Sequence, residues 1–229
     1  GGGYPQQGRG GGGYSPQGGR GGGGYPPQGR GGGYSPQGGR GVSPQGSFAG
    51  HWYGQYYNQI NQGQMAELQK WFQSVDRDRS GSISATELQT LSFGGVSLGL
   101  NTAIKLIKVF DKDFSGDISF QEYATLHKFI QAMQQAFMKT DTDRSGTLDT
   151  REIHGALQAS GFNMVSYNTV NRLHQKYDKH RSGHITFPDF LAMSADIALL
   201  RSKFERVDTQ RSGYVTANLD LLIELASDV

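Results

Sequence analysis

The sequence predicts an all-α fold, with five helix-loop-helix units in one compact domain and a disordered N-terminal tail rich in Gly, Tyr, Pro and Arg. Three observations predict it. A twelve-residue frame around a Ser-Gly pair occurs five times. Apolar residues at helical spacing run between its copies. Residues 1–50 hold 23 of the 35 glycines and six of the seven prolines, and contain no Asp or Glu.

Residues 1–50 are predicted to be a disordered tail, because they carry too little apolar surface to offset the entropy of ordering the chain. The decapeptide GGGYSPQGGR occurs at 11–20 and again at 31–40. This composition is typical of a flexible spacer. It also allows a docking segment for membranes or for the domain's own apolar groove. Arg-Gly-Gly units between tyrosines allow nucleic-acid binding or condensate formation, but only four arginines are available.

Residues 51–63 are predicted to be an aromatic-rich linker between the tail and the domain, which we place at 64–229. The stretch FAGHWYGQYY at 48–57 is unusually aromatic for a linker. We expect Trp52 and its neighbours to pack onto the first helix-loop-helix unit, with contact to a membrane as the alternative.

The five copies of the frame are DRDRSGSISATE (76–87), DKDFSGDISFQE (111–122), DTDRSGTLDTRE (141–152), DKHRSGHITFPD (178–189) and DTQRSGYVTANL (208–219). The first three match the EF-hand calcium loop, with acids at positions 1, 3 and 12 and Gly at position 6. Ca²⁺ takes six to eight hard oxygen ligands, and Gly at position 6 permits the sharp turn that wraps the loop around the ion.

The predicted ligands follow from these loop positions, the residue at position 7 contributing its backbone carbonyl. In the first loop they are Asp76, Asp78, Ser80, Ser82, Ser84 and Glu87. In the second they are Asp111, Asp113, Ser115, Asp117, Ser119 and Glu122. In the third they are Asp141, Asp143, Ser145, Thr147, Asp149 and Glu152. The second and third loops hold four acids each and the first holds three, so we expect the third loop to bind Ca²⁺ most tightly.

The fourth and fifth loops keep the frame and lack part of the chemistry. The fourth has His180 at position 3 and the shorter Asp189 at position 12, and the fifth has Gln210 and Leu219 there. Calcium is therefore disfavoured in both loops. A zinc site is a further interpretation of His174, Asp178, His180 and His184, although exposed loop histidines are the simpler one.

The intervals between loops predict the helices. Residues 123–140 and 190–207 contain no Gly or Pro and place apolar residues at helical spacing. Each is expected to form one helix of about 27 Å that leaves one loop and enters the next. Glycines at 94, 95 and 99 interrupt 88–110, Gly161 indicates a helix C-cap, and Ser166 indicates the next N-cap.

Position 8 is aliphatic in all five loops, as Ile83, Ile118, Leu148, Ile185 and Val215. In this motif it pairs with its counterpart in a neighbouring loop through a short antiparallel bridge, so loops one and two can pair, as can three and four. The fifth loop is left with an open strand edge and the apolar residues Leu221, Leu222 and Leu225. This arrangement predicts a dimer through residues 208–229.

Five hands at these intervals, with two long shared helices and a Gly/Tyr/Pro-rich N-terminus, resemble the penta-EF-hand family, the group of sorcin, grancalcin and peflin. The resemblance covers about 60–229. It implies a cytoplasmic Ca²⁺ sensor that exposes apolar surface on binding Ca²⁺ and engages protein targets or, reversibly, membranes. It also implies a homodimer, or a heterodimer with another penta-EF-hand chain, through the fifth hand. The first and third hands are usually the principal sites in this family.

Composition excludes several other classes. The sequence has no Cys, so disulfides and thiolate metal sites are excluded. Without the four tail arginines the chain has 18 basic and 20 acidic residues, a balance that disfavours nucleic acid as a partner. We find no nucleophile motif, phosphate loop or acid pair outside the loops, and predict that the chain is not an enzyme. A Ca²⁺ sensor or adaptor is the favoured function. The alternatives are a buffer that does not open and a calcium-regulated RNA-binding or condensate-forming protein with an Arg-Gly-Gly tail.

Overall fold

The structure, a computed structural model, describes residue 48 and residues 50–93 and 95–227. The predicted disorder of the tail therefore falls outside the described residues, apart from Phe48 and Gly50. The described part is mostly helical, which confirms the predicted class. Its helices are α1 Gly54–Tyr57, α2 Gln62–Val75, α3 Ala85–Leu88, α4 Leu100–Phe110, α5 Phe120–Thr140, α6 Thr150–Ala159, α7 Tyr167–Tyr177, α8 Phe187–Val207 and α9 Leu219–Ala226.

Six two-residue strands form three antiparallel pairs in this part of the chain. They are β1 Ser82–Ile83, β2 Ser92–Phe93, β3 Val96–Ser97, β4 Ile118–Ser119, β5 Thr147–Leu148 and β6 Ile185–Thr186. The helices and loops combine into five hands: α2 with α3, α4 with α5, α5 with α6, α7 with α8, and α8 with α9.

The two long shared helices are present as predicted, because α5 and α8 each run unbroken for 21 residues. Both begin three residues before the predicted stretch. Ser119 precedes α5, and its N–H donates to the Glu122 carboxylate at 2.9 Å, which closes the first turn. Pro188 lies in the first turn of α8, where its missing N–H has no helical partner to lose.

The loops pair as expected. Ile83 lies opposite Ile118 in β1–β4, and Leu148 lies opposite Ile185 in β5–β6. All four side chains are buried, so each bridge also joins the apolar cores of its two hands. The hairpin β2–β3 was not predicted. The sequence showed only a helix break at this place, and Gly95 (φ +85°) supplies a backbone conformation that a hairpin turn requires.

The end of α6 also follows the prediction. Gly161 has φ +93°, and the N–H of Phe162 returns to the carbonyl of Leu157 at 2.9 Å. This is the hydrogen bonding of a Schellman cap, and the Phe162 ring beyond it is buried. Ser166 caps α7 by accepting a hydrogen bond from the N–H of Thr169.

The aromatic segment, which we define as Phe48 with residues 50–57, packs differently from the expectation. Its rings meet the later hands rather than the first: Trp52 lies 6.0 Å from Phe129 of α5, and Tyr53 lies 5.2 Å from Phe110 of α4. Phe48 is buried although the sequence placed it in the tail. The predicted linker at 51–63 thus contributes rings to the core of the domain, because its apolar area is best buried against α4 and α5.

One buried acid ties three helices together. Asp196 of α8 forms an ion pair with Lys105 of α4, and the hydroxyl of Tyr177 on α7 donates to it. Lys176 lies 3.5 Å from the same carboxylate. Lys105 belongs to the second hand and Tyr177 to the fourth, so this Asp196 cluster connects the two pairs of hands.

Within the described residues, no helix combines the length and apolarity that crossing a membrane requires.

Candidate calcium sites

All five loops share one hydrogen-bonded frame. The carboxylate at position 1 accepts hydrogen bonds from the backbone N–H groups of positions 5 and 6. In the third loop Asp141 accepts from Ser145 at 2.9 Å and from Gly146 at 3.0 Å. In the fifth loop Asp208 accepts from Ser212 at 2.9 Å and from Gly213 at 2.7 Å. The same turn therefore forms whether or not the other acids are present.

The frame requires two unusual backbone conformations, one at position 4 and one at position 6. Position 6 is Gly in every loop, with φ between +75° and +90°. Position 4 also has positive φ, between +51° and +58°, and carries the exposed side chains Arg79, Phe114, Arg144, Arg181 and Arg211. A non-glycine residue pays a steric penalty in this region, so the hydrogen bonds to the position 1 carboxylate must hold the turn.

Three loops gather their acids into compact clusters. In each, one oxygen from every acid at positions 1, 3 and 12 lies within 4.8 Å of the others. The clusters are Asp76, Asp78 and Glu87; Asp111, Asp113 and Glu122; and Asp141, Asp143 and Glu152. Among the described residues these are the groups of three or more His, Cys, Asp or Glu that could hold a metal. The structure thus brings together the carboxylates that loop spacing predicted at positions 1, 3 and 12, and their role as Ca²⁺ ligands stays a prediction.

Hydrogen bonds keep the position 3 acids ionised. The hydroxyl of Ser80 and then its backbone N–H lower the pKa of Asp78 below its ordinary value. Ser115 and Ser145 lower the pKa of Asp113 and Asp143 in the same way. These side chains therefore remain anionic near neutral pH, as ligands of a hard cation must be.

The Glu at position 12 is anchored at both ends of its loop. Glu87 accepts from the N–H of Arg77 at 2.9 Å and from the N–H of Ser84 at 3.0 Å. The Ser84 bond belongs to a capping box that starts α3. Glu152 is held likewise, by the N–H groups of Thr142 and Asp149, both at 3.2 Å. The carboxylate that completes the cluster is thus fixed by the first turn of the outgoing helix.

The remaining predicted ligands lie beside the acids. The hydroxyl at position 5 donates to the carbonyl at position 7 at 3.0 Å in each of the three loops: Ser80 to Ser82, Ser115 to Asp117, and Ser145 to Thr147. At position 9, Asp149 accepts from the N–H of Glu152 at 2.8 Å, and the Ser84 and Ser119 hydroxyls donate to Glu87 and Glu122. Every predicted metal-ligand atom of the three loops is therefore an oxygen, and an all-oxygen ligand set fits Ca²⁺.

Comparison with known proteins agrees with this geometry. The family model described as an EF-hand domain pair matches residues 65–127 and 130–195. Penta-EF hand domain-containing protein 2 of Dictyostelium discoideum is 46% identical over 184 residues, which are 80% of this chain and 88% of that protein. This chain belongs to the penta-EF-hand family.

Other members are similar over about two thirds of this chain. Human sorcin is 34% identical over 66% of this chain and 78% of its own length. Peflin of Danio rerio is 32% identical over 65% of this chain and 56% of its own length. A solved structure of a homolog of programmed cell death 6 protein from Leishmania major Friedlin has a TM-score of 0.51 and 39% identity, and covers 72% of this chain and 94% of its own. The relatives are EF-hand proteins, so the family assignment favours binding over catalysis.

The fourth loop of this penta-EF-hand chain uses its acids differently. Asp189 at position 12 accepts from the hydroxyl of Thr186 at 2.6 Å, and Lys179 lies 3.8 Å from it. His174 is buried, and its Nδ1 meets the hydroxyl of Thr150 at 2.6 Å, at the start of α6. Burial lowers the pKa of His174. The histidines suggested for zinc do not join Asp178 in a metal-binding group of the kind found in the first three loops.

The fifth hand leaves its apolar residues uncovered. None of the α9 residues is buried in the described structure. Leu219 is 73% exposed, Leu222 52% and Ile223 58%, and Val215 has no strand partner among the described residues. The prediction named Leu221, Leu222 and Leu225, of which Leu222 is exposed and the other two are half-buried, and it missed Leu219 and Ile223. Lys203 of α8 holds the helix in place by donating to the carbonyl of Leu225 at 2.7 Å.

Proposed function

We propose that this chain is a calcium sensor and adaptor, in which Ca²⁺ bound by the first three loops shifts their helices and exposes apolar surface for target proteins or membranes. The observation that carries the proposal is the set of three all-oxygen clusters, each of which joins an incoming helix to an outgoing one. Family membership supports Ca²⁺ binding in general. The individual ligands, the targets and a cytoplasmic location stay predictions.

The charges of a cluster explain how an ion could alter the fold. Two carboxylates about 4 Å apart repel each other by roughly 4 kcal/mol at an effective dielectric constant of 20. Bound Ca²⁺ supplies the positive charge that offsets this repulsion. In the third loop, Asp141 stands at the end of α5 and Glu152 in the first turn of α6. A change in their separation therefore changes the angle between the two helices.

Glu152→Gln tests the third site. The amide keeps the shape of the side chain and removes one charge and one anionic ligand, so calorimetry should show one fewer ion bound, or binding at that site weakened by at least tenfold. Glu67→Gln is the matched control, because Glu67 is exposed on α2 outside every loop. Equal stoichiometry and affinity in the two variants would remove the third loop from the list of sites.

A buffer that binds Ca²⁺ without opening is the second candidate, and one observation favours it. The position 12 carboxylates already lie within their clusters, so the ion could enter without a large helix movement. A dye that fluoresces on apolar surface separates the two functions. A sensor increases dye fluorescence when Ca²⁺ is added, whereas a buffer leaves it unchanged. The Arg-Gly-Gly alternative concerns residues outside the described part and stays a prediction.

The exposed fifth hand supports dimerisation as part of the adaptor function. Leu219, Leu222 and Ile223 are neighbours on α9, and exposed patches of this kind mark contact sites between proteins. We therefore place a homodimer, or a heterodimer with another penta-EF-hand chain, on residues 208–229. Ile223→Asp should convert a dimer into a monomer in light scattering, while Glu224→Gln, the exposed neighbour, should not. A dimer that survives Ile223→Asp would place the interface elsewhere.

A further inference from the structure

The C-terminal end of α6 is held by three side chains from distant parts of the chain. The Tyr56 hydroxyl donates to the carbonyl of Ser160 at 2.9 Å. The Arg201 guanidinium donates to the carbonyl of Gly161 at 3.1 Å. The Trp52 ring lies 5.6 Å from the ring of Phe162. Three consecutive residues of the α6 cap are thus contacted by the aromatic segment and by α8.

The aromatic segment and α8 are themselves joined. The indole N–H of Trp52 donates to the Ser202 hydroxyl at 2.9 Å, and the Arg201 guanidinium lies 4.8 Å from the Trp52 ring centre. Arg201 is also held by Glu205, one turn later, at 3.1 Å. Tyr56 is deeply enclosed, and burial raises its pKa to about 12. These contacts therefore form one connected support under the end of α6.

The opposite end of α6 carries Glu152. The helix has ten residues, which makes it a rod of about 15 Å with the support at one end and the acid cluster at the other. In the structure the supported helix places Glu152 within reach of Asp141 and Asp143. The contacts of Tyr56, Trp52 and Arg201 are thus made in the arrangement that gathers the three carboxylates of the third loop.

We propose that Trp52, Tyr56 and Arg201 are positioning residues that set the Ca²⁺ affinity of the third loop by fixing the position of α6. The inference rests on the proposed site at Asp141–Glu152. An interaction that favours the ion-binding arrangement strengthens binding, and by linkage the ion strengthens the interaction. Loss of the support therefore weakens the third site, and Ca²⁺ in that loop tightens the aromatic segment against α6.

The test compares Tyr56→Phe with Tyr57→Phe in full-length chain that also carries Glu87→Gln and Glu122→Gln, so that calorimetry reports the third loop. Both changes delete one phenol oxygen from a buried ring of the same segment. The structure shows a hydrogen bond to α6 for Tyr56. Net hydrogen-bond contributions correspond to about two- to tenfold in an equilibrium constant, and we expect Ca²⁺ binding to weaken by that factor in Tyr56→Phe alone.

A second measurement uses the two tryptophans. With Trp71→Phe, the emission of Trp52 reports the aromatic segment directly. We expect Ca²⁺ to change this emission in the Glu87→Gln/Glu122→Gln background, in which the third loop keeps its Glu at position 12, and to leave it unchanged when Glu152→Gln is added to that background. A role of Trp52 in general stability alone would not distinguish the two backgrounds.

The outcomes separate this inference from the proposed function. If the Glu87→Gln/Glu122→Gln chain binds no Ca²⁺, the third site itself is refuted, and the positioning role with it. The positioning role alone is overturned if that chain binds Ca²⁺ with the same affinity in Tyr56→Phe and Tyr57→Phe and if Ca²⁺ binding to the third loop does not change the Trp52 emission.

Discussion

Replacing Asp196 by Ala removes the carboxylate on which side chains of α4 and α7 converge. The Asp196 side chain is 4% exposed, and its partners differ in their access to water: Lys105 is 26% exposed and Lys176 61%. The Tyr177 hydroxyl donates to the same carboxylate. Burial first, and then this hydrogen bond, raises the pKa of Tyr177 above its ordinary value.

The expected loss of stability follows from these three contacts. A hydrogen bond to a charged acceptor contributes about 1.5–3 kcal/mol, which is the share of Tyr177. The pair with Lys176 lies near the surface and contributes about 0–1 kcal/mol. Lys105 loses its counter-charge in a partly buried place, but its 26% exposure lets water replace some of it. We expect Asp196→Ala to lower the free energy of unfolding by about 2–4 kcal/mol.

Urea unfolding followed by circular dichroism measures this quantity at fixed Ca²⁺ concentration. A double-mutant cycle with Lys105→Met isolates the ion pair, and we expect a coupling of about 1 kcal/mol or more because the two residues share one contact. Asp196→Asn keeps an acceptor for Tyr177 and should recover part of the loss. A cost below about 1 kcal/mol for Asp196→Ala would refute the role of this cluster in joining the second and fourth hands.

Two further predictions concern pH and the fifth loop. Burial lowers the pKa of His127 to about 4, so between pH 6.5 and 4 the unfolded chain binds a proton that the folded chain does not. The free energy of unfolding should therefore fall by roughly 1–2 kcal/mol from pH 7 to pH 5. His127→Gln should reduce this loss when it is measured by urea unfolding. If the pH dependence is the same in the variant, other groups cause the loss. Asp208→Ala removes the carboxylate that accepts the two backbone hydrogen bonds of the fifth loop. It should lower the free energy of unfolding by about 1–3 kcal/mol, and calorimetry should show the same number of bound Ca²⁺ ions. The loss of one bound ion would show that the fifth loop is a metal site.

The repeat itself carried most of what could be predicted. Loop spacing placed the acids at positions 1, 3 and 12 together, since a twelve-residue turn with Gly at position 6 has few ways to fold. The stretches without Gly or Pro, with apolar residues at helical spacing, predicted α5 and α8. The aliphatic residue at position 8 predicted the pairs Ile83–Ile118 and Leu148–Ile185. The frame also explains the fifth loop, where Asp208 forms the turn without the other acids.

The misses lie where distant residues meet. The sequence showed that the aromatic segment is apolar, but not which surface would bury it, and Trp52 bonds to a residue 150 positions away. The residues next to Asp196 in the sequence do not predict that Lys105 and Tyr177 contact it. In sequence, each of the three looks like an ordinary residue of its own helix. For the hairpin at 92–97 the sequence indicates only a helix break, because a pair of glycines predicts a turn but not the elements that the turn connects.

By itself, then, the sequence determined the loops, the clustering of their acids, the shared helices and the unpaired fifth hand, because each depends on contacts within a dozen residues or on a repeated spacing. The tertiary structure alone decided how the aromatic segment supports α6, how the Asp196 cluster joins two hands and how far α9 stays exposed. Those features depend on which apolar and charged side chains meet after the helices pack, and burial and ion pairing act on neighbours in space irrespective of their order along the chain.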